Sequence, residues 1–138
     1  LFIFIASVFT SDKKDIIDVL EKYNKAFSEA DYSMIVKTFD RPASFNLKDK
    51  TIIASNKLKL IYRKLRGGLP NFYSYRKWDE INIQIIDNKI AIVNADFSRY
   101  NNDSTIFYSG SAQYHLRLKN DQCKIFSLIP YTNIVIIK

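Results

Sequence analysis

The sequence predicts an α+β domain: helices and one short hairpin first, then a run of antiparallel strands. Three observations carry that reading. Apolar residues recur at helical spacing through much of the first half of the chain. From Arg76 onward they alternate with a period of two, and polar turn formers divide the alternating segments. The composition adds a bound. A chain of 138 residues with ten Phe and nine Tyr, but only three Gly and three Pro, suits one core with few loops.

The elements follow in order. Ser11 or Asp12 is placed to cap a helix over 12–30, whose apolar face is Ile16, Val19, Leu20, Tyr23, Phe27 and Ala30. Asp31 caps a shorter helix, "YSMIVKTF", with Met34, Ile35 and Phe39 inward. Pro42 ends it, because proline disfavours helix in the residue before it. "ASFNL" and "TIIA" flank "KDK" as a small hairpin. Ser55 or Asn56 opens a third helix through Arg66, with Leu58, Ile61, Tyr62 and Leu65 on its apolar face. Gly67 and Gly68 stop it in the left-handed positions that helix ends favour. "LPNFYSY" is an aromatic connector. The strands are "EINIQII", "IAIVNADFSRY", "IFYSGSAQYHLRL" and "CKIFSLI", with turns at "DNK", "NNDS" and "NDQ". "TNIVIIK" adds a fifth strand or continues the fourth past Pro130.

Charge and special residues narrow the functions little. The net charge is +7, which suits nucleic acid, anionic lipid or an acidic partner. Ile, Lys and Asn are all abundant, the mark of an AT-rich genome, and that composition raises the lysine count without any partner. One cysteine, Cys123, excludes an internal disulfide, and with a single histidine it excludes a zinc site. It reads as a buried structural thiol. No metal or organic cofactor is indicated. The opening run "LFIFIASVF" is too short to span a bilayer and fits the apolar region of a signal peptide, yet no basic segment precedes it. Residues 1–11 are therefore either a truncated signal peptide, implying export to a periplasm, or an extension packed on a cytoplasmic domain spanning 12–138.

Several stretches together resemble the NTF2-like superfamily, which includes SnoaL-like proteins, nuclear transport factor 2 and ketosteroid isomerase relatives. "IIDVLEKYNKAFSEADYSMIVKTF" is similar to the opening helix pair, "DRPASF" to the strand after a proline, and the segment from "LPNFYSYRKW" to "YHLRL" to the strand series. The resemblance covers about residues 12–130. It departs at Cys123, where relatives often carry tryptophan. It implies three N-terminal helices packed on a strongly curved, mostly antiparallel sheet, forming a cone with a pocket at its open end. Members include isomerases, dehydratases, epoxide hydrolases, adaptors and dimerisation modules, so the fold does not settle function.

Alternation sorts the strand residues by face. Ile81, Ile83 and Ile85 face in. A turn centred on Asn88 then pairs Ile85 with Ala91, Ile83 with Val93 and Asp79 with Phe97. A tight turn at Asn102–Asp103 pairs Arg99 with Ile106, Phe97 with Tyr108, Ala95 with Gly110 and Ala91 with Tyr114. A turn at Asn120–Asp121 pairs Leu116 with Ile125. On this register Asp79, Arg99 and Tyr108 share one end of the inner face. They are the catalytic candidates: a carboxylate in an aromatic pocket suits a general base, and Tyr108 or Arg99 suits a developing anion, as in a lyase or isomerase. The competing reading is a structural Asp79–Arg99 ion pair at the rim. Tyr23, Phe27, Phe97 and Tyr114 are expected to line a pocket for a small apolar or amphipathic molecule. His115 lies on the outer face with Phe126 and Leu128, a surface that the resemblance implies to be a homodimer interface. The alternative is a non-catalytic dimerisation or adaptor module whose pocket is filled by its own rings. The stretch "KLKLIYRKLRGGLPNFYSYRKW" sets cations beside rings, but no RNA- or DNA-binding motif accompanies it, which argues against nucleic acid. Its basic rim could instead draw an anionic small molecule to the pocket.

Overall fold

Helix α1, Phe2–Ser28, lays Ile16, Leu20, Tyr23, Ala26 and Phe27 into the core. The structure, a computed structural model, describes residues 2–119 and 122–138, with side chains from residue 12. The helix begins upstream of the predicted cap at Ser11 or Asp12, so neither residue caps it. The side chains of residues 1–11, and with them the reading of that apolar run as signal or extension, lie outside the described residues. The helix ends where Ala30 takes a positive φ of 56° and the Asp31 N–H reaches back to the Ala26 carbonyl at 2.8 Å. That closure usually employs glycine.

Helix α2, Tyr32–Lys37, is capped by Asp31, whose Oδ1 accepts from the Met34 N–H at 3.2 Å. It stops before Phe39, which begins a strand rather than closing the helix. Strand β1, Phe39–Asn46, carries Pro42 inside it, where its pairing with the last strand is interrupted between Phe39 and Ser44. Strand β2, Thr51–Ala54, completes the expected hairpin. Helix α3, Leu58–Gly67, is preceded by Lys57 with no side-chain cap, so Ser55 and Asn56 do not serve. No described glycine has a positive φ: Gly68 sits at −82° and bonds to the Lys64 carbonyl, which corrects the left-handed stop.

Four strands finish the chain: β3, Tyr73–Ile86; β4, Ile90–Asn101; β5, Ile106–Lys119; and β6, Gln122–Tyr131. Strand β3 thus takes in Tyr73–Tyr75 of the "LPNFYSY" segment expected as a connector, while residues 69–72 stay outside it. "TNIVIIK" forms no strand, and Ile134–Ile137 are exposed. The sheet order is β2-β1-β6-β5-β4-β3, antiparallel except where β1 meets β6. Helices cover its inner face, and the core is built from Leu20, Phe27, Tyr62, Val93, Leu116 and Ile125 among others.

Register depends on the turns. Asp87 and Asn88 both take positive φ between β3 and β4, a turn suited to these residue types, and Ile85–Ala91 and Ile83–Val93 pair as expected. The β4–β5 loop is wider than a two-residue turn. Asn101 Oδ1 accepts from the Asp103 and Thr105 amides, and Phe97 pairs with Gly110 rather than Tyr108. From Tyr108 onward the register moves by two residues, which keeps those side chains on their expected face, whereas an extra residue at Phe107 pairs Ile106 with Tyr100 instead of Arg99. The predicted turn at Asn120–Asp121 lies outside the described residues, although Leu116 pairs with Ile125 as expected.

Candidate functional site

The site begins with a bulge in β3. Trp78 pairs with Phe97 and Glu80 with Asp96, leaving Asp79 as the extra residue. A bulge reverses the face of everything beyond it. Ile81, Ile83 and Ile85 thus face in on one side of the bulge, and Arg76 and Trp78 face in on the other. Three bonds from α1 hold this stretch: Asn24 Nδ2 donates to the Arg76 carbonyl at 2.8 Å, the Arg76 N–H donates to Ser28 Oγ at 3.1 Å, and Trp78 Nε1 donates to the Leu20 carbonyl at 3.2 Å. Arg66 of α3 adds a clamp, donating to the Phe27 and Ser28 carbonyls that end α1.

Between helices and sheet lies a cavity of about 340 Å³. Its buried aromatic walls are Tyr23, Phe27, Phe97 and Tyr114, the four residues expected to line it. Leu47, Leu65 and Tyr108 are exposed and mark the mouth. Gly110 lets the Phe97 and Tyr108 rings lie close over the sheet. A Cβ there would lie 2.9 Å from both the Phe97 and Tyr108 rings, too close for either to stay.

The charges in this cavity are all of one sign. Arg76, Arg99 and Lys48 line it, and no Asp or Glu is among its described lining residues. Arg76 is 4% exposed. Its guanidinium lies 4.1 Å from the Phe97 ring centroid and 4.6 Å from that of Trp78, and its Nε and Nη2 have no acceptor. Arg99 pairs directly across the sheet with Arg76. Its guanidinium sits 4.6 Å from the Tyr108 ring, and its buried Nε also lacks an acceptor. Burial, and then the neighbouring Arg76 charge, push the Arg99 pKa down. Tyr23 and Tyr62 share a hydrogen bond of 2.9 Å, and burial pushes both phenols well above their ordinary value. They are neutral polar groups at any physiological pH.

Asp79 is not in the site. The structure places it exposed on the outer face, accepting from Ser98 Oγ at 2.5 Å. The predicted Asp79–Arg99 neighbourhood does not exist, because the bulge turns Asp79 away. Arg99 and Tyr108 do line the cavity. Sequence reasoning missed Arg76, although a signal was present. Carrying the alternation back from Ile81 puts charged Asp79 and Lys77 inside and apolar Trp78 outside, a conflict that a single bulge resolves.

The outer face is a ladder of paired polar groups. Ser98 Oγ also meets Ser109 Oγ at 3.0 Å, Ser111 donates to Asp96, Gln113 donates to Asn94, and His115 Nε2 lies 2.8 Å from Gln113 Oε1. His115 faces outward as expected, near the Phe126 ring at 6.0 Å. A second bulge opposite His115 pairs it with Ser127 and turns Leu128 inward against Tyr114. Leu128 is buried and lines the cavity, which corrects its assignment to the outer surface. Burial lowers the His115 pKa and raises that of the Cys123 thiol to about 12, Asp15 and Asp12 adding to the latter. Among the described residues no His, Cys, Asp and Glu cluster could hold a metal ion, and no helix is long and apolar enough to cross a membrane.

No protein-family model matches this chain, and no curated protein matches it. Solved structures do. A Nostoc punctiforme protein of unknown function with a cystatin-like fold superposes with a TM-score of 0.74 at 12% identity, over 86% of this chain and 89% of that one. An NTF2-like protein of unknown function from Shewanella oneidensis gives 0.69 at 14%, over 86% and 98%. A Shewanella frigidimarina protein provisionally assigned as a ketosteroid isomerase gives 0.66 at 12%, over 83% and 92%. Three helices on a six-stranded, mostly antiparallel sheet are thus the NTF2-like fold that the sequence resembles. Identities this low establish the fold and leave the activity open.

Proposed function

We propose that this protein is a binding protein for a small amphipathic molecule, held in the cone's cavity. The observation that carries the reading is the cavity itself, about 340 Å³ with aromatic walls and cationic groups among them. Ligand sites have this character: apolar lining, a few convergent polar groups, and a volume near the lower end of the usual range of roughly 300–1,000 Å³. A pocket filled by its own rings would instead support the scaffold or adaptor reading.

Binding is favoured over proton abstraction. Catalysis of the lyase or isomerase kind calls for a base, and the described lining offers no carboxylate. Arg99 and Tyr108 are suited to holding an anion, whether a bound acid or a developing enolate. We further propose that two copies associate through the outer face around His115 and Phe126. Native mass spectrometry on the full chain, purified from its expression host, tests both points. A dimer with added small-molecule mass is expected. Bare protein mass, unchanged on incubation with an extract of small molecules, would favour the adaptor reading, and a monomer would remove the interface.

A further inference from the structure

The two arginines raise a question that packing does not answer. A buried ionic group is stable when paired, and a lone one is costly. Arg76 is 4% exposed with two guanidinium nitrogens lacking any acceptor, and the residue directly across the sheet is a second arginine. Like charges in opposed positions destabilise a sheet. The rings around Arg76 offer their π faces, at 4.1 Å for Phe97 and 5.4 Å for Phe27, but a π face does not accept the in-plane N–H groups as an oxygen does. Arginine remains ionised throughout the accessible pH range, so the charge is not removed by deprotonation. Elsewhere the protein does pair this residue type: Arg117 Nη1 lies 3.2 Å from Asp40 Oδ2, and Arg66 donates to two carbonyls.

We propose that the cavity takes a small monoanionic amphiphile, with its carboxylate between Arg76 and Arg99 and its apolar body against Tyr23, Phe27, Phe97 and Tyr114. The assignment rests on the ligand-binding reading of the cavity and adds the chemical class. A planar carboxylate matches the forked donors of guanidinium, which donate two parallel bonds to its oxygens. It neutralises the repulsion between the opposed arginines. Lys48 at the mouth adds attraction without an opposing acid in the described lining. The volume favours a short acyl or arylalkyl body over a long lipid.

The test is a set of calorimetric titrations with matched probes: hexanoate, octanoate, decanoate and 4-phenylbutyrate, each beside its primary alcohol. Trp78, the single tryptophan of the chain, packs on Arg76 and gives a parallel fluorescence readout. The expected result is that at least one carboxylate binds about tenfold or more tightly than its alcohol, and that added salt weakens it. Arg76→Met should remove that preference while leaving the alcohol's affinity unchanged, and Arg76→Lys should restore part of it. Arg99→Met, altering a half-buried residue, serves if Arg76→Met does not fold, and the same loss of preference is expected. Equal affinity for acid and alcohol in the unaltered protein would overturn the anion assignment and leave the pocket reading standing. Binding of neither class across the series would overturn both.

Discussion

The two faces of one sheet treat their polar groups in opposite ways. On the outer face Asp79, Asp96, Asn94 and Gln113 each meet a cross-strand partner, through Ser98, Ser111 or one another. On the inner face Arg76, Arg99 and Tyr73 hold buried nitrogen or oxygen atoms with no partner, and Asn24 of α1 faces them with another. Both faces come from the same strands, so the difference is not one of local structure. Buried polar groups in folded proteins are normally satisfied, and each exception calls for an explanation such as strain, a functional role, or a bound water or ion. The outer face is complete as folded. The inner face leaves these atoms without a partner, which is what the proposed carboxylate would supply.

Substitutions sharpen or break this contrast. The largest effect belongs to the walls. Phe27, 1% exposed, packs against the rings of Tyr23, Tyr62 and Tyr73. Phe27→Ala should cost about 3–5 kcal/mol in chemical denaturation, the usual loss for a buried phenylalanine. Next comes Arg76→Met in ligand-free protein. Exchanging a buried cation that has no carboxylate partner, only phenol and ring neighbours such as Tyr114, for an apolar chain of similar length should raise stability by roughly 1–3 kcal/mol. Destabilisation would show that Arg76 has a structural partner.

Asp79→Ala has the opposite sign on the opposite face. It should lower stability by about 1 kcal/mol through the lost bond from Ser98, and leave ligand affinity unchanged. A loss of binding would return Asp79 to the site. The smallest effect concerns pH. Burial holds the His115 pKa below its unfolded value near 6.5. Between those two values the unfolded chain binds more protons, so stability falls as pH drops through that window. His115→Gln should flatten this part of the stability–pH curve, and an unchanged slope would assign it to other groups.

How legible this was from sequence differs between the fold and the site. Helical spacing in α1 and α3 and alternation in β4 and β5 are consequences of burying one face, and they are visible in any single chain. The capping of α2 by Asp31 was readable for the same local reason. The bulges were harder to read, because a bulge is one unpaired residue with no composition of its own; only the one at Asp79 leaves a trace, in the broken alternation from Ile81 back to Lys77. At Asp79 that one residue exchanged an acid for Arg76 in the inner set. At Phe126 it moved Leu128 from the outer surface into the cavity wall. The wider β4–β5 loop shifted the register by an even step from Tyr108 onward, so of the residues assigned there only Ile106 changed face. That two nitrogens of Arg76 lack an acceptor is a tertiary fact. It depends on what α1, β4 and β5 bring near it, and no spacing encodes it.

The central claim is that the inner arginines are left unpaired for an anion. Denaturation of the unaltered protein and of Arg76→Met, each with and without saturating carboxylate from the titration series, tests it most directly. The account predicts a crossing. Without carboxylate the variant is the more stable. With it the unaltered protein gains by mass action and overtakes a variant that gains little. If the carboxylate stabilises both proteins equally, or the variant is the weaker under both conditions, Arg76 is part of the scaffold and the claim is wrong.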